Sequence, residues 1–134
     1  MRRMILLAGA VLLAGCASED RMMEVERNDE ARLAAALEGY RQSGPAVSCV
    51  SSRELQGNRS VGEGAIIFDS IGSTLYVNRP RDGCPEVTST RALRTRSPST
   101  RLCSGDLASV FDPTTGAEYG GCALGDFTPY RKAD

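Results

Sequence analysis

The chain has 134 residues, 41% of them hydrophobic but only 5% aromatic, with 16 basic residues against 17 acidic. A formal net charge of −1 supplies no basic footprint, so nucleic acid is not expected as a partner. There is no histidine, no tryptophan and one lysine, Lys132, so the bases that usually activate serine or cysteine nucleophiles are missing and no enzyme is expected.

The first segment is Met1, Arg2 and Arg3 followed by twelve apolar residues, Met4 to Gly15, which is the layout of an export signal. As a helix those twelve residues would reach only about 18 Å, short of the roughly 30 Å needed to cross a bilayer. Leu13, Ala14, Gly15 and Cys16 resemble the lipobox of bacterial lipoproteins. That resemblance implies removal of residues 1–15 and acylation of Cys16, including attachment of palmitate-type chains. Several acyl chains anchor a protein stably where one does not. Ala17 stands where such lipoproteins carry an aspartate when they are retained at the inner membrane, so the expected location is the outer membrane, facing the periplasm. Loss of Arg2 and Arg3 takes 16 basic residues to 14 against 17 acidic, a net of −3.

Residues 16–27, the cysteine and the charged run "ASEDRMMEVER", lack a core pattern and read as a lipidated start and tether. Residues 28–45 read as one short amphipathic helix. Asn28 or Asp29 offers a cap, Leu33, Leu37 and Tyr40 fall on one face, and Gly44 with Pro45 offers a stop. Its face is expected to pack on its own domain or the helix to act as a spacer, with partner binding as the other reading.

From Ala46 the chain changes to short β-favouring runs punctuated by glycine, proline and serine. Strands are expected at Val47 to Leu55, Ala65 to Asp69, Thr74 to Asn78, Leu93 to Cys103, Ala108 to Asp112 and Ala117 to Leu124. Turns are expected at "GNRSVGEG", "SIGS", "RPRDGCP", "SPST", "CSGD" and "DPTTG". The expectation is one mainly β domain over residues 46–130, a small antiparallel barrel or sandwich of about six strands, followed by a tail at 131–134.

Four cysteines remain in that domain, Cys49, Cys84, Cys103 and Cys122. An even number in a small exported domain reads as two disulfides. No two of the four are close in sequence and no histidine is available, so a zinc site is not expected. Three pairings are open, of which Cys84 with Cys103 and Cys49 with Cys122 is favoured, because Cys84 and Cys103 flank a hairpin-like segment. Such bridges supply much of the stability of a small domain.

The segments "CVSSRELQ", "AIIF", "LYVNRPRDGCP", "RLCSGD" and "CALGDFTPY" together resemble a family of small proteobacterial lipoproteins and exported proteins that share a four-cysteine domain with no assigned function. The resemblance runs from Ala46 to Tyr130. After Cys84 the chain departs from it, with Pro85, Glu86 and Val87 in place of a Pro, Gly, Leu run. The family implies no activity, cofactor or catalytic residue.

Asp69, Asp106, Asp112 and Asp126 are the acids that a carboxylate-pair hydrolase could use, but the last three lie beside glycine or proline, where turns favour aspartate. "VGEGAII" lacks the third glycine of a phosphate loop and reads as a turn between strands, and "NRS" at Asn58 is an acceptor pattern with no meaning in a bacterial envelope. Arg91, Arg94, Arg96 and Arg101 form the most basic stretch. Guanidinium forks suit phosphate and carboxylate, so these four are the candidate anion site, with the solvated face of an ordinary strand as the other reading. The functional expectation is a non-catalytic, lipid-anchored envelope lipoprotein that needs no cofactor or metal. Its expected partners are the membrane, through the anchor, and an envelope protein, peptidoglycan or lipopolysaccharide. The alternative is an inhibitor of a hydrolase such as lysozyme, working through "RTRSPSTR" or "GNRSVGEG".

Overall fold

The computed structural model describes residues 16–88 and 90–134. The expected leader, residues 1–15, lies outside the described residues. One helix, α1 (Cys16–Ala36), precedes ten strands: β1 (Tyr40–Gln42), β2 (Cys49–Ser51), β3 (Leu55–Val61), β4 (Ala65–Ser70), β5 (Thr74–Asn78), β6 (Ala92–Thr95), β7 (Arg101–Cys103), β8 (Leu107–Phe111), β9 (Glu118–Ala123) and β10 (Phe127–Lys132). The architecture is mainly β and antiparallel with a leading helix and two disulfides, as expected, but its sheets do not close into a barrel.

The main sheet has five strands in the order β1-β10-β5-β4-β3. At its centre β4 reads "AIIFDS", and five of its six residues are buried. Strand side chains alternate between faces, and β4 feeds two cores: Ile66 and Phe68 enter one, Ala65 and Ile67 the other. That is why this strand carries a continuous apolar run rather than an alternating one.

On one face, Ile66, Phe68 and Phe127 meet Val50 and Leu102 of the two-stranded sheet β2-β7 and Leu93, Ala108, Val110 and Cys122 of the three-stranded sheet β6-β8-β9. Phe127 is completely buried, with Phe68 edge-on at 5.5 Å and Tyr76 at 6.4 Å between ring centroids. On the other face, Leu33 of α1 packs among Val61, Ala65, Ile67, Leu75 and Val77. Helix, large sheet and two small sheets therefore form three layers.

Several elements differ from the sequence reading. Residues 17–27, expected as a tether, are helical, and α1 stops at Ala36 rather than at Gly44 and Pro45. Its stretch is rich in Glu, Met, Arg, Leu and Ala, which sustain a helix without any core pattern. Gly39, at φ +81°, takes the left-handed conformation that ends helices, and the chain continues as β1. The expected turn "GNRSVGEG" is shorter: Gly57 to Val61 belong to β3, an outer strand whose Gln56 and Arg59 face solvent, and only Gly62 to Gly64 turn. The expected strand Val47 to Leu55 is two strands that pass from one sheet to another at Ser52 to Glu54, and Leu93 to Cys103 is likewise split into β6 and β7 by residues 96–100.

Strand β10 is not among the expected strands, and it contains Pro129, which lacks a ladder donor. It fits because Pro129 needs only its carbonyl on that edge, accepting from the Ser43 amide at 2.9 Å just past the end of β1.

The cysteine pairing corrects the favoured one. Cys49 bonds Cys103, and Cys84 bonds Cys122. Cys49 and Cys103 are direct cross-strand partners in β2 and β7. The segment between Cys84 and Cys103 is not a hairpin, because β6 pairs with β8 while β7 pairs with β2. Cys84 is thereby left facing the core beside Cys122 of β9.

Candidate functional site

The site with the most structure behind it is the junction where α1 meets the domain. Met22, Val25, Asp29, Leu33 and Ala36 recur at three- and four-residue spacing and so lie along one face of the helix. Leu33 is the buried anchor of that stripe, at 4% exposure. One turn earlier, Asp29 Oδ2 accepts a hydrogen bond from the Glu63 backbone N–H at 2.9 Å. The carboxylate lies so close over the β3–β4 turn that a Cβ on Gly62 would sit 1.9 Å from Asp29 Oδ1, and Gly62 is at φ +63°. Only glycine meets both constraints.

Beside it, Glu30 forms a two-pronged ion pair with Arg79 at 2.5 and 3.2 Å. The Arg79 hydrogen bond holds the Glu30 carboxyl below its usual range, and the same contact raises the guanidinium of Arg79. Both side chains are more than half exposed, so the pair orients the helix more than it stabilises the fold.

The connection continues inward. The Glu63 carbonyl accepts from the Cys84 N–H at 2.7 Å, and Cys84 is bonded to Cys122 in the β9 strand. A path of one carboxylate, one turn and one disulfide thus ties α1 to the main core. Ahead of Asp29, residues 18–28 are exposed, including Met22 at 66%, Met23 at 51% and Val25 at 44%. Met22 and Val25 overhang a cleft of about 540 Å³ whose far wall is Glu63, Gly64, Arg79 and Gly83.

The arginines of the basic stretch are placed differently from one another. Arg91 Nη1 donates to the Glu86 carboxylate at 3.0 Å and to the Glu86 carbonyl at 2.8 Å, with its guanidinium 3.6 Å from the Tyr119 ring centre. Arg94 lies 3.7 Å from Glu118 and 4.3 Å over the Phe111 ring. Arg96 follows β6 and is exposed, while Arg101 opens β7 in a different sheet. Two of the four thus already hold carboxylates, and the sheet boundary separates Arg101 from the others. The signal that sequence reading lacked was the two glutamates: Glu118 lies 24 residues from Arg94 on β9, while Glu86, only five residues before Arg91, was within reach of a local reading.

The candidate acids are dispersed as well. Asp69 pairs with Arg59 across the β3–β4 ladder. Asp106 Oδ2 accepts the Cys103 N–H at 2.8 Å. Asp112 Oδ1 accepts the Thr114 and Thr115 amides at 2.7 and 3.2 Å, and those bonds lower its pKa. Asp126 is exposed in the turn before β10. No hydrogen bond among the described residues joins any two of them. The described residues also hold no group of three or more His, Cys, Asp or Glu side chains able to bind a metal ion, and no helix among them is long and apolar enough to cross a membrane.

No family model, curated protein or solved structure matches this chain.

Proposed function

We propose that this chain is a non-catalytic, lipid-anchored lipoprotein of the bacterial cell envelope, held at the outer membrane and facing the periplasm, and belonging with the small four-cysteine lipoproteins it resembles. The observation that carries the reading is the position of Cys16: it heads α1, and α1 is tied to the core through Asp29, Glu63 and Cys84. An acyl anchor on Cys16 would therefore act on the domain through a helix rather than through a slack chain. The exposed part, residues 18–28, measures roughly 16 Å at ~1.5 Å per residue. The domain would be a reader displayed at short, set range from the bilayer. The disulfides Cys49–Cys103 and Cys84–Cys122 suit the oxidising space outside the inner membrane.

The test is labelling with a palmitate analogue in a Gram-negative host, followed by membrane fractionation. The wild-type chain takes label and sediments with outer membranes, and Cys16→Ser loses both. Equal labelling of the two, or recovery of the wild type in the soluble fraction, would contradict the proposal.

A second reading, an inhibitor of a hydrolase, is favoured by the loop at residues 96–100. Ser52 Oγ donates to the Thr100 carbonyl at 2.6 Å, and Ser97 and Ser99 both donate to the Arg101 carbonyl. A loop so held could enter an enzyme cleft without the entropy cost of ordering. Unchanged lysozyme turnover in the presence of the purified chain would remove that reading for lysozyme.

A further inference from the structure

Between β3 of the main sheet and the loop joining β6 to β7 runs a groove of about 320 Å³, within the lower part of the ~300–1,000 Å³ range of small-ligand sites. Its hydrogen-bonding side chains are Ser52, Gln56, Asn58, Thr95, Ser97 and Ser99; its apolar members are the half-buried Leu55 and the edges of the core residues Phe68 and Leu102, each only 2% exposed. A quarter of the chain is charged, so ten lining residues drawn at random would include two or three charges, yet none of the ten is charged. The lining is selectively neutral and selectively polar.

The hydrogen-bond inventory also has a direction. The hydroxyl protons of Ser52, Ser97 and Ser99 are spent on the carbonyls of Thr100 and Arg101, and the Asn58 amide donates to the Leu93 carbonyl at 3.5 Å. Ser97 Oγ also accepts the Ser99 N–H at 3.3 Å and Ser99 Oγ the Arg101 N–H at 3.1 Å, which leaves each of these two hydroxyls one acceptor lone pair, while Ser52 keeps both and Asn58 keeps its carbonyl oxygen. The groove therefore offers acceptors held in place by the fold. The Gln56 amide can serve as both donor and acceptor. A register shift in β3 between Leu55 and Gly57 marks a bulge at the same spot, and bulges of this kind re-aim side chains beside binding sites. Gly57 has nothing within 4 Å of where a Cβ would lie, so the backbone there is open to approach.

We infer that this groove binds a short stretch of a neutral saccharide chain, whose hydroxyl and acetamido groups donate to Ser52, Asn58, Ser97 and Ser99 beside the half-buried Leu55. An anionic ligand would call for guanidinium groups in the lining, and a cation would call for carboxylates; the groove has neither. The inference deepens the reading of the chain as an envelope binding module by naming the class of its ligand, and it does not depend on acylation.

The experiment titrates chitotriose, a neutral acetamido sugar, into the exported chain, purified in detergent if acylated and as the soluble form if not. Loss of the anchor thus leaves the binding measurement intact. Backbone amide shifts should saturate at Gln56, Asn58, Ser97 and Ser99. Gln56→Ala, at an exposed position, and Asn58→Ala should each weaken binding by roughly fivefold, the size expected for one hydrogen bond. Tyr119→Ala on the outer face of the β6-β8-β9 sheet should leave it unchanged. No shifts at 10 mM sugar, shifts clustered at Arg91 and Arg94 instead, or equal affinity in Gln56→Ala would overturn the inference.

Discussion

Replacing both Cys84 and Cys122 with alanine should cost this domain about 4 kcal/mol, much of a typical stability of ~5–15 kcal/mol. The bridge closes a loop over a sequence separation of 38, and the loop-entropy argument gives about 4 kcal/mol for that length at 25 °C. The bridge Cys49–Cys103, with a separation of 54, is worth about as much by the same argument, because the cost grows only with the logarithm of loop length. The two should still differ in kind. Cys84 and Cys122 are 2% and 6% exposed and belong to the main core, so their removal adds a packing defect, whereas Cys49 and Cys103 are only partly buried. Urea unfolding should show the Cys84→Ala, Cys122→Ala midpoint falling by about 1.3–4 M at an m-value of ~1–3 kcal/mol/M, and falling further than for the Cys49→Ala, Cys103→Ala pair. Pairing itself is read by digestion and mass spectrometry. Trypsin leaves Leu102 to Arg131 as one peptide carrying both Cys103 and Cys122, so a second cleavage at Asp106, Asp112 or Glu118 is required. The Cys49 peptide must then be attached to the Cys103 fragment. Attachment to the Cys122 fragment, or a midpoint unchanged in the Cys84 pair, would refute the reasoning.

Other expectations concern the helix junction. Leu33→Ala should cost about 2–5 kcal/mol at a fully buried position, and limited trypsin cleavage at Arg27 and Arg32 should accelerate well before the β-domain is attacked. Gly62→Ala should destabilise by about 1–3 kcal/mol through the left-handed backbone and the approach of Asp29, and Asp29→Ala in the same chain should relieve part of the loss in urea melts. Glu30 titrates below the usual glutamate range because of Arg79, so its stabilising contribution is present above the unfolded-state pKa and disappears as pH falls through the lower folded value. Carboxyl NMR should place the Glu30 midpoint back in the ordinary range in Arg79→Ala. The loss of stability should stay below ~1 kcal/mol, since the pair is solvated.

Much of the fold was legible where local pattern and tertiary demand agree. The strand expected at Ala65 to Asp69 is β4, one residue longer, and Thr74 to Asn78 appears with the expected ends. The readings that failed had two sources, local propensity given too little weight and pairings distant in the chain. The tether at residues 17–27 was misread because charge was taken as a sign against structure, while intrinsic propensity and the docking of Leu33 carry the helix back to Cys16. The disulfide pairing could not be read because it follows from β7 joining β2 and β9 joining β8, long-range pairings that no window of sequence contains. The basic stretch drew attention as an anion site because Glu118, which pairs with Arg94, lies on another strand; Glu86, which pairs with Arg91, is only five residues away and was overlooked. The neutral groove went unnoticed for the complementary reason: Gln56, Asn58, Ser97 and Ser99 are unremarkable singly and gain meaning only once β3 is laid beside the β6–β7 loop.

The proposed function requires an exported chain fastened by its first mature residue to a domain locked by sulfur. The direct measurement is the intact mass and amino-terminal fragment spectrum of the protein recovered from membranes. The proposed function predicts a chain beginning at Cys16, heavier than residues 16–134 by a diacylglyceryl and an acyl group and lighter by the four hydrogens of two disulfides. A mass matching all 134 residues with thiols free to alkylation would contradict it.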